Sequence, residues 1–213
     1  MSDRLPSGGI TVAPGDLEAL EARWAHCWTP PDIADRLAGT TATWYVAAGW
    51  ALDMFHGEQT REHHDIEIGV PAGQFPQIRS RFSELAADAV DSSRIWESAG
   101  PAVLSATWQT WLRDPATGNY LLDVFREPHD GAVWICRRDE TIRLPYAEII
   151  RHTADGIPYL TPELVLLFKA KHVRPKDQAD FDGVLPLLAE SQRATLSGLL
   201  DQVHPGHAWL ARL

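Results

Sequence analysis

Ala48-Gly49-Trp50-Ala51-Leu52-Asp53, followed by Asp65-Ile66-Glu67-Ile68, is the stretch that decides how this chain folds. Side chains two apart on a strand share a face, so Asp65 and Glu67 fall together while Ile66, Ile68 and Val70 turn inward. Two carboxylates side by side repel unless a cation lies between them or water bathes them. Magnesium accepts one or two carboxylates and keeps positions for phosphate oxygens. The pair therefore reads as half of a metal site, although alone it would more often be a solvated strand face.

The residues before the pair add to that reading. Val46, Ala47 and Ala48 lead into Gly49, an apolar helix pattern runs from Trp50 to Phe55, and Gly57 is placed as a C-terminal cap. A glycine at the mouth of a helix lets the backbone come close to a bound group, and the free N–H groups there face an anion, with phosphate the natural candidate. Thr60-Arg61-Glu62-His63-His64 then carries the chain into the strand. A zinc reading of His63, His64 and Asp65 is poor, because consecutive strand residues alternate faces and do not converge on one tetrahedral centre. A serine hydrolase lacks its nucleophile elbow.

Trp44 to Asp53, Gly57, Thr60-Arg61-Glu62-His63 and Asp65-Ile66-Glu67 together resemble the signature of the nucleotidyltransferase superfamily that shares the DNA polymerase beta core. Within it the chain is most similar to the aminoglycoside 2''-adenylyltransferase group. Leu121-Leu122-Asp123-Val124-Phe125 resembles the strand that carries the family's third carboxylate. Pro162 to Lys171 and Arg174 to Phe181 resemble the C-terminal helical part. The likeness spans roughly residues 17 to 190, most of the chain. It departs at two positions. The first glycine of the family turn is Ala48, whose methyl costs on the order of 1–2 kcal/mol if the backbone needs a positive φ. The second acidic position is Glu67, where many relatives carry aspartate.

The resemblance implies a magnesium-dependent transfer of a nucleoside monophosphate, AMP being expected, from ATP or another nucleoside triphosphate to a hydroxyl of a small molecule, an aminoglycoside-type antibiotic being expected. Asp65, Glu67 and Asp123 are then the catalytic metal ligands, with Asp123 able to accept the hydroxyl proton. Gly49, Trp50, Arg61, Lys169 and Lys171 are the implied nucleotide contacts, the two lysines being hard to rank from sequence. Arg61 reads equally as a phosphate clamp or as a brace for Glu62 or Asp53. Trp96, Trp108 and Trp111 are candidates to line an acceptor cleft, although core is the commoner place for a tryptophan. A nucleotide-binding or antitoxin-like module, or an inactive homologue, is the alternative.

Bulk properties fit this reading. The chain has 213 residues, 23.7 kDa and a formal charge of −10, enough length to bury a core without staples. The acidic balance argues against a nucleic-acid partner and favours a cationic acceptor. Cys27 and Cys136 lie far apart in apolar surroundings, which suggests buried free thiols. Met1 to Gly9 has no signal-peptide core, and no run is long enough to cross a bilayer, so the expectation is a cytoplasmic protein with no membrane partner.

The remaining patterns predict an α+β fold, a mixed sheet flanked by helices followed by a helical C-terminal domain, with the division at residues 1–145 and 146–213. Helices are expected from Asp16, with that aspartate as cap, from Pro31 to Leu37 with Gly39 ending it, and over residues 74–88. Strands are expected at Ile95-Trp96, Ala106 to Leu112, Tyr120 to Phe125 and Val133 to Cys136, with Asp114 to Asn119 as a hairpin turn. From Tyr146 onward helices are expected to dominate, among them one opening at Thr161-Pro162-Glu163, with Phe181 to Leu188 and Leu196 to Val203 following.

Overall fold

The computed structural model describes residues 5–213; Met1–Arg4, the start of the polar N-terminal stretch, lie outside them. In chain order the elements are β1 (Ile10–Thr11), α1 (Leu17–Ala22), α2 (Pro30–Arg36), β2 (Tyr45–Val46), α3 (Ala48–His56), β3 (Glu67–Pro71), α4 (Phe75–Ser80), β4 (Ala86–Asp91), β5 (Arg94–Trp96), α5 (Pro101–Ala106), β6 (Gln109–Arg113) and β7 (Tyr120–Glu127). They continue with β8 (His129–Asp130), β9 (Val133–Ile135), β10 (Arg143–Pro145), α6 (Tyr146–Ile149), β11 (Ile150–His152), β12 (Pro158–Leu160), α7 (Pro162–Lys169), α8 (Pro175–Val184) and α9 (Glu190–Val203). The α+β class is as expected. Two units form, each drawn from two separate stretches: Met1–Trp44 with His63–His129, and Tyr45–Glu62 with Asp130–Leu213.

In the first unit the strands run β1-β5-β4-β6-β7-β3. All neighbours are antiparallel except β3 and β7, which are parallel. The inward residues named from sequence are there: Ile66, Ile68 and Val70 are fully buried, as are Leu112, Leu122 and Val124. Burying each such side chain contributes about 1.5–3 kcal/mol. β4 and β5 turn through Ser92 and Ser93 at φ 47° and 63°, the paired left-handed geometry of a type I′ hairpin. The expected turn at Asp114 to Asn119 is present: the Asp114 carboxylate accepts from Ala116 N at 2.8 Å and Thr117 Oγ1 at 2.9 Å, and Gly118 takes φ 78°.

Three sequence expectations in this unit are corrected. The helix expected over 74–88 stops at Ser80, because the Arg79 guanidinium bonds the Phe82 and Leu85 carbonyls. Ala86–Asp91 is a strand paired with β5 and β6; its alanines favour helix, and the sheet overrides them. Ala106 is the last residue of α5, a helix opened by Pro101 and not foreseen, so the strand begins only at Gln109. The Asp16 carboxylate bonds back to Ala13 N at 3.2 Å and makes no cap bond to α1.

The second unit contains a parallel pair, β2 with β12, extended by antiparallel β11, and a β9-β10 hairpin. Two of these strands, β11 and β12, lie in the stretch after Tyr146 that was expected to be helical. Helix α3 packs on β12, α7 and α8, and α7 packs on α9. The core includes Leu52, Leu164 to Leu167, Leu196 and Leu200, with Phe181 and Trp209 stacked at 4.2 Å. Gly57 ends α3 in the left-handed region at φ 93°, its N–H on the Asp53 carbonyl at 2.8 Å. Cys136 is buried and Cys27 half-buried, both as free thiols. Among the described residues no helix is long and apolar enough to cross a membrane.

Candidate active site

Glu67 and Asp123 come together in the first unit through strand register. β3 and β7 are parallel with Glu67 opposite Asp123, and the ladder reaches back one residue through Asp123 N to the Ile66 carbonyl at 2.9 Å. Register partners on adjacent strands lie about 5 Å apart and project from the same face. Glu67 is half-buried and Asp123 buried. Asp65 stands exposed just before the strand rather than on it, on the side of Ile66 that faces away from the core.

Asp123 is held by residues that sequence reasoning did not assign to it. Gln109 Nε2 donates to its Oδ2 at 2.5 Å and Trp111 Nε1 to the same oxygen at 3.1 Å. Trp111 is the register partner of Asp123 on β6. Its ring packs edge-on against Trp24 at 5.4 Å and Tyr120 at 4.9 Å. Next along the same face, Asp88 is fully buried and takes Arg113 Nε at 2.6 Å, Ser98 N at 2.8 Å and Tyr120 Oη at 3.3 Å. Burial pushes the Tyr120 phenol up to about 12, so it stays a neutral donor to that carboxylate.

Hard carboxylate oxygens are the donors magnesium prefers, and the Glu67/Asp123 pair places like charges side by side, so the residues fit a divalent cation. Among the described residues no group of three or more His, Cys, Asp or Glu side chains forms a ready cage.

The nucleotide contacts named from sequence belong to the second unit. Ala48 opens α3 at φ 49°, the left-handed conformation that glycine adopts without strain, with Gly49 buried and Trp50 half-buried after it. Arg61 forks onto Asp180, Nε to Oδ1 at 2.9 Å and Nη2 to Oδ2 at 3.3 Å, and donates to the Glu62 carbonyl at 3.1 Å. Asp53 is braced by Thr60, from N at 3.1 Å and Oγ1 at 2.5 Å.

Lys169, at the end of α7, puts Nζ 2.9 Å from Asp180 and 3.0 Å from Asp177, and Arg174 Nε meets Asp177 at 2.6 Å. Lys171 lies beyond the helix and is exposed. The cluster thus distinguishes the lysines: Lys169 is anchored by two carboxylates, Lys171 extends to solvent. Burial disfavours the charged form of both aspartates. The bonds from Arg174 and Lys169 to Asp177, and from Arg61 and Lys169 to Asp180, outweigh it and hold both below the usual carboxylate range.

Residues 31–98 match the family model described as aminoglycoside-2''-adenylyltransferase, a span that contains the Gly49 turn and the Asp65/Glu67 pair and ends before Asp123. Among solved structures the chain is similar to a lincosamide antibiotic adenylyltransferase, LnuA, with lincomycin bound: 17% identity over 84% of this chain and 100% of that one, TM-score 0.50. It is similar also to ANT(2'')-Ia in complex with adenylyl-2''-tobramycin: 15% identity over 81% of this chain and 94% of that one, TM-score 0.51. No curated protein matches it. The chain shares its fold with these two adenylyltransferases.

Proposed function

We propose that this chain is a magnesium-dependent nucleotidyltransferase that moves a nucleoside monophosphate, AMP in the first instance, from a nucleoside triphosphate to a hydroxyl of a cationic small molecule of aminoglycoside type. The observation that supports the reading is the register of β3 and β7, in which Asp123, from far along the chain, partners Glu67. The family match over residues 31–98 supports the transfer chemistry. The formal charge of −10 suits an acceptor bearing ammonium groups.

On this reading Asp65, Glu67 and Asp123 would hold the ion, which would supply charge neutralisation of the triphosphate and polarisation of its α-phosphorus. Asp123 takes the proton of the attacking hydroxyl as the P–O bond forms at the α-phosphorus and pyrophosphate leaves. The Gly49 turn with Trp50 receives the nucleotide at the N-terminal end of α3. Arg61, Lys169 and Lys171 are the proposed phosphate contacts, with Asp180 fixing the first two. The functional division proposed is a catalytic α/β core over 1–145 and a helical part over 146–213, in the cytoplasm.

The second reading, a nucleotide-binding module without transfer activity, is favoured by Ala48 at φ 49° in the turn where the family places glycine. Pyrophosphate release from ATP and from GTP with magnesium, against a panel of aminoglycosides and lincosamides, separates the two. Acceptor-dependent release is the expected result. Nucleotide binding with no release across the panel would replace the first reading with the second.

A further inference from the structure

We propose that Gln109 and Trp111 are positioning residues for the chemistry at Asp123, an inference that rests on the reading above. Both lie on one face of β6, and both place an N–H donor on the same oxygen, Oδ2, at 2.5 and 3.1 Å. An indole N–H can only donate, and of the glutamine amide only the nitrogen can satisfy a carboxylate oxygen, so the two bonds have a fixed direction. A carboxylate held at one oxygen by two donors from the neighbouring strand loses its freedom about χ1 and χ2. Its plane is set for metal binding and proton acceptance.

The donors are themselves immobilised. Trp111 is wedged by Trp24 and Tyr120. The Gln109 carbonyl accepts from Arg126 Nη2 at 3.2 Å. Arg126 is buried, and neutral acceptors surround it: Thr110 Oγ1 and Thr107 Oγ1, each at 2.8 Å, and the Leu104 carbonyl. A guanidinium that satisfies itself on the backbone and hydroxyls around the start of β6 pins the segment that carries Gln109. Outer partners of this kind typically govern 10- to 100-fold in metal affinity or activity.

The test removes the donors and keeps the shapes: Trp111→Phe, the benzothienyl isostere of tryptophan at position 111, and Gln109→Met. Mn2+ affinity is read by electron paramagnetic resonance with and without ATP, nucleotide affinity by calorimetry, and kcat and KM by pyrophosphate release. The expected result is about a tenfold fall in kcat and in Mn2+ affinity, with KM for the acceptor and melting temperature nearly unchanged. In an Asp123→Asn background the loss of either donor should cost no further Mn2+ affinity.

Wild-type Mn2+ affinity in the donor-free variants, or losses that add to that of Asp123→Asn, would overturn the proposal. Those binding readouts stand even if no acceptor turns over, so failure of the positioning role is distinguishable from failure of the transferase reading. The isostere changes one N–H for one sulfur, which keeps the test alive if the phenylalanine variant does not fold.

Discussion

At Ala48 the backbone takes φ 49°, where a Cβ crowds its own carbonyl at a cost of about 1–2 kcal/mol. Replacing it by glycine removes that strain and adds back about 0.4–1 kcal/mol of unfolded-state entropy. Ala48→Gly is therefore expected to raise stability by up to about 1.6 kcal/mol, a rise of a few degrees in melting temperature for a chain of this size. Nucleotide affinity should hold or improve; a lower melting temperature or weaker binding would mean that the alanine is required. At Asp123 the expectation is a split. Asp123→Asn should leave most nucleotide binding and lower turnover by about 100- to 10,000-fold, whereas Asp65→Asn should harm both. Calorimetry with pyrophosphate release reads the two effects, and near-wild-type turnover by Asp123→Asn would remove that residue from the site.

Helix α8 shows what elements contribute, since its Asp177 and Asp180 gather Arg61, Lys169 and Arg174. Asp180→Asn leaves two cations facing a neutral amide in a buried setting and should cost about 3 kcal/mol, read as a fall in melting temperature. Both aspartates have folded pKa values below the unfolded ones. Their stabilisation is thus fully present above the unfolded value of about 4 and is lost as pH falls through the folded values. The melting-temperature gap between wild type and Asp180→Asn should stay constant from pH 7 to about 5 and close in more acid solution. A gap that widens on acidification would contradict this account.

The same elements show what was legible in the sequence. The Gly57 cap, the Asp114–Asn119 turn and the inward Ile66-Ile68-Val70 row follow from local rules of chirality and alternation, and they are where the pattern put them. Residues 86–88 read as helix because alanine spacing carries no information about the strands that flank it. The bond from Arg61 to Asp180 spans 119 positions, and no local pattern announces it. Trp111 was visible as a cleft candidate, but its role on Asp123 depends on the registers of two strand pairs at once.

At the scale of the whole molecule, chain order and packing order differ, because residues 45–62 build with 130–213. A fragment cut at 145 would keep α3 and lose α7 and α8, on which that helix packs. Fragment 1–145 should show weak, non-cooperative unfolding by circular dichroism, and adding fragment 146–213 in trans should restore a sharper transition. A cooperative two-state transition for 1–145 alone would argue that α3 does not need its partners. The parallel pairing of β3 with β7 carries a consequence in time. Parallel neighbours cannot be joined by a tight turn, and a long excursion must close before Glu67 meets Asp123, which makes this among the slower pairings available to the chain. During synthesis Glu67 and Asp123 remain strangers until the ribosome has released β7, and the pairing that then joins the two strands also brings their like charges together.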